Sequence, residues 1–155
     1  MTTAHPHSEH PERALIRQLL AAPAGEWVAV TTNPLAVAMQ MELSAHGPGH
    51  VSARFVVDQP FTNGNGVLQG GIVSAMLDFG MVFAAFSQIP ADATIATVSQ
   101  TTNFFRAAAP GAYTVEAELE KSGRTLINAR ATLCGADGKP VASATSPLAV
   151  LPLAR

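Results

Sequence analysis

Apolar residues recur along this chain with two different periods, and each change of period marks a new element. From Pro11 to Ala22 (PERALIRQLLAA), Leu15, Ile16 and Leu19 fall on one stripe, with Pro and Glu in the first turn. That spacing predicts an amphipathic helix. The period then drops to two. Val37, Met39, Met41 and Leu43 alternate with Ala38, Gln40 and Glu42, and Val51, Ala53, Phe55 and Val57 alternate with Ser52 and Arg54. Two alternating runs on either side of His46-Gly47-Pro48-Gly49 predict a β-hairpin. A breaker-rich loop from Gln59 to Gly66 follows.

Alternation is lost altogether from Gly70 to Ile89, GGIVSAMLDFGMVFAAFSQI, which is apolar nearly all the way round. A helix with that composition is buried, in a domain core or in a bilayer. About 20 apolar residues span a membrane. Here no Lys or Arg flanks the run closely, neither end carries Trp or Tyr, and soluble-type β patterning follows. The reading is a core helix over Gly71–Ile89, stopped by Pro90.

Beyond Pro90 the pattern is β throughout. Strands are predicted over Thr94–Arg106, Tyr113–Glu120, Ile127–Leu133 and Val141–Val150, with turns at Ala109-Pro110-Gly111, Ser122-Gly123 and Asp137-Gly138. About four antiparallel strands need one face covered, and only the Gly71–Ile89 helix is apolar enough to cover it. The expected class is α+β: a curved antiparallel sheet wrapped around one long central helix, with an N-terminal helix. One domain is expected over residues 11–155, after a flexible arm over residues 1–10 that carries His5, His7 and His10 among prolines.

Composition narrows the partners. Only 13% of residues are charged and the net charge is -2, with no basic stripe, so nucleic acid is not an expected partner. So little charge on a 155-residue chain leaves apolar surface uncovered and favours a homo-oligomer. Cys134 is the only cysteine, which excludes an internal disulfide, and ligands for a metal do not cluster in the sequence. No basic segment followed by an apolar one opens the chain, so a cytoplasmic location is expected by elimination, and no membrane association.

Chemistry concentrates on Asp78, the one ionisable side chain in the buried run. An ionised carboxylate there must be paired, hydrogen-bonded or shifted upward in pKa. Gln69-Gly70-Gly71 opens the same helix about two turns earlier, where free backbone N–H groups lie at the positive end of the dipole. Glycine lets another molecule approach that backbone closely. Free donors suit a carbonyl oxygen that becomes negative during attack, and a carboxylate on the same side attacks that carbonyl or activates a water.

Asn63, Gln69-Gly70-Gly71, Asp78, then Asn103-Phe104-Phe105-Arg106-Ala107-Ala108 and Pro110-Gly111 together resemble the hotdog-fold acyl-CoA thioesterases, in their phenylacetyl-CoA (PaaI-like) branch. The resemblance covers roughly Leu43 to Leu151. It implies that the central helix is wrapped by the meander as a hotdog fold. It also implies that two protomers join their sheets edge to edge, as a dimer or a tetramer, with each active site straddling the interface. Asp78 would be the nucleophile or general base, and Gly70, with Gly71, the oxyanion donors. Asn63 matches a polar residue that places the carbonyl or the water. Thr97 matches a hydroxyl position contributed by the partner protomer. Many relatives carry His-Gly-Gly where this chain has Gln69-Gly70-Gly71, and Gln cannot titrate near neutrality.

The acyl pocket is expected to be lined by Phe61, Met76, Phe79 and Phe83. The phosphates of coenzyme A would meet Arg106, Lys121 and Arg124, with Arg54 ranked lower. The expected function is hydrolysis of a small or medium, aryl included, acyl-CoA to the free acid and coenzyme A, with no cofactor. The alternative is a hotdog protein that binds acyl-CoA without turning it over. Hydration or dehydration of the thioester ranks below both, because His46 and His50 sit in a hairpin turn and no histidine follows residue 50.

Overall fold

The computed structural model describes residues 9–153 of the chain. His5 and His7 of the N-terminal arm lie outside the described residues. The first helix, α1 (Pro11–Ala21), is capped by the His10 side chain, which accepts from the Glu12 N–H, and it carries Pro at its start. Ile16 and Leu19 are buried, as the stripe requires. Glu9 pairs with Arg13 and Arg17, and the His10 ring stacks on Phe86 at 4.7 Å, so the end of the expected arm is folded onto the domain.

A two-residue strand, β1 (Val28–Ala29), leads to a short helix, α2 (Pro34–Ala38). This corrects the expectation of a strand starting at Val37. Asn33 Oδ1 accepts from the Leu35 and Ala36 N–H groups and Pro34 follows it, a start signal that outweighs the alternating residues. Gln40 then takes a positive φ of 50° and releases the chain into β2 (Glu42–Gly47), which pairs with β3 (His50–Val57) across the expected Gly-Pro-Gly turn.

The central helix, α3 (Gly70–Phe86), ends about one turn before the expected stop at Pro90. Ser87 caps it: its hydroxyl donates to the Ala84 carbonyl and accepts from the Gly49 N–H at 2.6 Å. The expected strand over Thr94–Arg106 is two strands, β4 (Ala93–Thr97) and β5 (Thr101–Phe104), broken at Val98–Gln100. β6 (Gly111–Ser122), β7 (Leu126–Gly135) and β8 (Pro140–Pro152) complete the chain.

The sheet runs β1-β2-β3-β6-β7-β8-β4, all antiparallel, with β5 also paired to β8. It is the curved sheet around one helix that the patterning predicts. Side chains of β2, β3, β6, β7 and β8 that face α3 form the core: Leu43, Ala53, Val115, Leu133 and Ala142 follow one another in register across the sheet and are all buried. Gly80 sets the closeness of helix to sheet. A Cβ there would sit 2.6 Å from Val115 Cγ1 and 3.0 Å from Ala117 Cβ, so only glycine fits. Among the described residues no helix is long and apolar enough to cross a membrane.

Candidate functional site

One stripe of α3 is not covered by the sheet. Val73, Met76, Leu77, Gly80, Met81 and Ala84 are buried, whereas Gly71 is exposed and Ser74, Ala75, Asp78 and Val82 are half-buried. At 3.6 residues per turn Gly71, Ser74, Ala75, Asp78 and Val82 lie one above another. The lone carboxylate therefore faces the open side of a helix otherwise sunk in the core.

Asp78 is held by Thr97 Oγ1, which donates to its Oδ1 at 2.7 Å. Burial pushes the Asp78 carboxyl above its ordinary value, and the Thr97 hydrogen bond opposes that rise. Thr97 stands at the end of β4 beside the helix, so the hydroxyl next to the acid comes from the same chain, where the resemblance implies the partner.

The helix start is built by a loop that folds back on itself. Gln69 N–H donates to the Phe61 carbonyl, Leu68 N–H to the Ala108 carbonyl, and Asn63 N–H to the Val67 carbonyl. Gln69 is the N-cap, and its side-chain Oε1 accepts from the Gly70 N–H at 3.2 Å. The Gly70 amide is thus closed, at the long end of hydrogen-bond distances. The Gly71 amide meets no acceptor among the described residues, and a Cβ at Gly71 would point into open space. Gly71 also lies seven residues before Asp78, on its face, while Gly70 is turned about 80° away. The accessible donor is Gly71 rather than Gly70.

Asn63 Oδ1 accepts from the Asn65 N–H at 2.9 Å in an Asx-turn, which leaves the carboxamide NH2 without a partner among the described residues. Beside Gly70 a cleft of about 280 Å³ is lined by Val67, Leu68, Val73, Phe104 and Ala108, with the Phe104 ring 3.5 Å from where a Gly70 Cβ would be.

Three polar residues without a sequence expectation meet here, Ser74 on the stripe and Gln100 and Thr102 beside it. Gln100 Nε2 donates to the Ser74 carbonyl at 3.0 Å and to Thr102 Oγ1 at 2.9 Å, and Ser74 Oγ donates to Thr102 Oγ1 at 3.3 Å. They tie the β4–β5 break to the helix one turn before Asp78. The available signals were Ser74 inside the apolar helix run and the polar stretch Ser99–Asn103 after Val98.

The expected acyl-pocket and phosphate residues separate sharply. Met76 and Phe83 are fully buried in the core, because they turn toward the sheet with Gly80. Phe61 and Phe79 are half-buried against that core. Arg106 is not a free cation either. Its guanidinium clasps both Asp137 oxygens, at 2.7 and 3.1 Å, and donates to the Lys139 and Pro140 carbonyls, fastening the β7–β8 turn. Arg54 is paired with Glu42 and lies over the Trp27 ring at 4.5 Å. Lys121 and Arg124 are exposed, at the β6–β7 hairpin. Ser122, Ile127, Leu148 and Thr97 share one cross-sheet row, so this hairpin is three strand spacings from Thr97, about 14 Å.

Reach along α3 limits what one chain does. Gly71 and Asp78 are separated by about 10 Å of helix rise. A reacting carbon needs both the oxyanion donor and the attacking oxygen within about 3 Å. A single copy of this helix does not bring them together.

The sequence profile of the thioesterase superfamily matches residues 65–142. Among solved structures, a thioesterase family protein from Silicibacter pomeroyi is 29% identical with a TM-score of 0.75, over 91% of this chain and 98% of that one. A phenylacetic acid degradation-related protein from Ralstonia eutropha is 26% identical with a TM-score of 0.74, over 90% and 99%. A thioesterase from Haemophilus influenzae shares the fold at 22% identity, with a TM-score of 0.72 over 80% and 87%. No curated protein matches the chain.

Proposed function

The chain belongs to the thioesterase superfamily, and from that premise we propose that it hydrolyses a small or medium acyl-CoA to the free acid and coenzyme A. The observation that carries this reading is Asp78 on the open stripe of α3, oriented by Thr97. Asp78 acts on the thioester carbon directly or by taking a proton from a water. The Gly71 amide, assisted by the Asn63 carboxamide, carries the charge that grows on the carbonyl oxygen. The thiolate of coenzyme A then leaves and takes up a proton; on the direct route, water next hydrolyses the Asp78 mixed anhydride to the free acid and the regenerated carboxylate.

The gap along α3 adds a requirement. With two copies side by side and their central helices antiparallel, Asp78 of one faces the helix start of the other, and two equivalent sites arise. The β4–β5 edge supports this arrangement. It ends the sheet beside the open stripe, and Val98, Phe104 and Phe105 along it are more than half exposed. Unpaired strand edges bordered by apolar side chains are favourable pairing surfaces.

A panel of acyl-CoAs with a thiol reagent tests the reading. Release of coenzyme A that disappears in Asp78→Asn is the expected result. The closed Gly70 amide favours one other reading, a protein that binds acyl-CoA without turnover. Thermal stabilisation by acyl-CoA with no thiol released across the panel would select it.

A further inference from the structure

Between Gly71 and Asp78, the polar cluster of Ser74, Gln100 and Thr102 is only partly satisfied. Gln100 Nε2 places both its hydrogens within the chain, on the Ser74 carbonyl at 3.0 Å and on Thr102 Oγ1 at 2.9 Å. Thr102 Oγ1 also accepts from Ser74 Oγ at 3.3 Å. Two groups are left over. The Thr102 hydroxyl accepts twice, so its own proton meets no acceptor among the described residues, and Gln100 Oε1 meets no donor there. We infer that a second copy of this chain supplies both partners. The Thr102 hydroxyl of each chain donates to the partner's Gln100 Oε1, and this reciprocal pair fixes the register of the shared site, on whose proposal it rests.

Symmetry brings the two clusters together. When antiparallel helices set Asp78 opposite Gly71, the two-fold axis crosses α3 midway between them, beside Ser74 and Ala75. Ser74 stands about 4.5 Å of helix rise from Gly71 and about 6 Å from Asp78. Each cluster therefore lies at the axis, with an active site on either side. A two-fold contact must be self-complementary. One unused donor beside one unused acceptor in each chain meets that condition.

The β4–β5 edge gives the pair its weight. Thr102 and Phe104 alternate onto the helix side of β5, Thr102 at Ser74 and Phe104 at Gly70, while Thr101 and Asn103 are exposed. The break at Val98–Gln100 turns Gln100 to the same side. Gln100, Thr102 and Ser74 are half-buried already, and Val98 and Phe104, more than half exposed, border them along the edge. A partner that covers those apolar side chains also removes water from the hydroxyl and the carboxamide, and a polar group covered without a partner is unfavourable. An apolar edge by itself specifies register weakly. A slip of two residues would carry Asp78 about 7 Å past the opposing amide. A polar pair at the axis opposes that slip, as a single polar position does in paired helices.

The test mixes two full-length variants, Gln100→Leu and Thr102→Val, one of them isotopically labelled, and counts dimers by native mass spectrometry after joint refolding. Either homodimer faces a polar group with an apolar one at both contacts. The mixed dimer keeps one contact intact and makes the other apolar on both sides, while losses inside each chain are the same in every dimer. Mixed dimers should therefore exceed the statistical half, and each homodimer should dissociate at least about tenfold more readily than the unaltered one. A chain carrying both replacements has no mismatched contact and should dimerise more tightly than either single variant. Mixed dimers at the statistical half, as groups bonded only within their own chain or to an acyl group would give, overturn the reciprocal bond, and so does a monomeric unaltered chain. Thiol release from acyl-CoA separates the two readings. Turnover without an excess of mixed dimers rejects the reciprocal bond alone, and an excess without turnover upholds it and rejects hydrolysis.

Discussion

Asp78 carries opposite demands, and the two can be separated by substitution. Burial raises its folded-state pKa above the ordinary 3.8, so between those values the folded chain binds more protons than the unfolded one. Stability contributed by this group therefore falls as pH rises through that window, and at neutral pH the ionised carboxylate is destabilising. Asp78→Asn is expected to raise the melting temperature at pH 7, with the gain shrinking as the pH is lowered through the window. The same change should cut kcat by roughly 10²–10⁴-fold, the usual worth of a positioned acid or base. Thermal unfolding at several pH values together with thioester turnover checks both. Thr97→Val removes the hydrogen bond that opposes the rise. The acid limb of the pH–rate profile should move upward in Thr97→Val and return in Thr97→Ser.

At the scale of elements, the contact of α3 with β6 depends on a missing side chain. Alanine at position 80 would favour the helix by about 1 kcal/mol, yet its Cβ would press on Val115 and Ala117 at 2.6 and 3.0 Å. Both neighbours belong to a paired central strand and cannot retreat. Overpacking of this kind costs about 1–3 kcal/mol, so Gly80→Ala should lower the urea midpoint with little change in slope. Elements also show what local patterning conceals. Period two over Val37–Leu43 is genuine, but Asn33 and Pro34 start a helix first, and Gln40 in the left-handed region ends it. Thr, Val and Phe enrich the Thr94–Arg106 run for β structure, and its polar stretch Ser99–Asn103 does not fix where the strand breaks. That break depends on Gln100 bonding to the helix backbone at Ser74, a contact between residues far apart in sequence.

For the whole molecule, the expectation is that activity belongs to a pair of chains. Asp78→Asn lacks the carboxylate, and Gly71→Pro lacks the donor in the first turn of the helix, where no intrahelical bond is lost. Each variant alone should be inactive. Unfolded together and refolded, they should recover up to about a quarter of normal activity, because each mixed dimer holds one site with both groups intact. If one chain used its own two groups, the mixture would stay as inactive as its parts. Light scattering should give at least twice the 16.1 kDa of one chain, and a 16.1 kDa particle would overturn the shared site.

An unbroken apolar run was enough to read the central helix, and period-two alternation the β3 strand and the strands after Pro110, because an apolar face of that period has only one way to be buried. The isolation of Asp78 in an uncharged run was likewise visible without coordinates, since the cost of an unpaired buried charge is a local fact. Side-chain direction was not. Whether Met76 and Phe83 face a ligand or the sheet, whether Arg106 is free or clasped to Asp137, and which of two adjacent glycines offers an open amide follow from helix phase and long-range partners. The distance from Gly71 to Asp78 was implicit in seven residues of helix. Only the packed structure decided which stripe stays open, because that depends on which face the sheet covers.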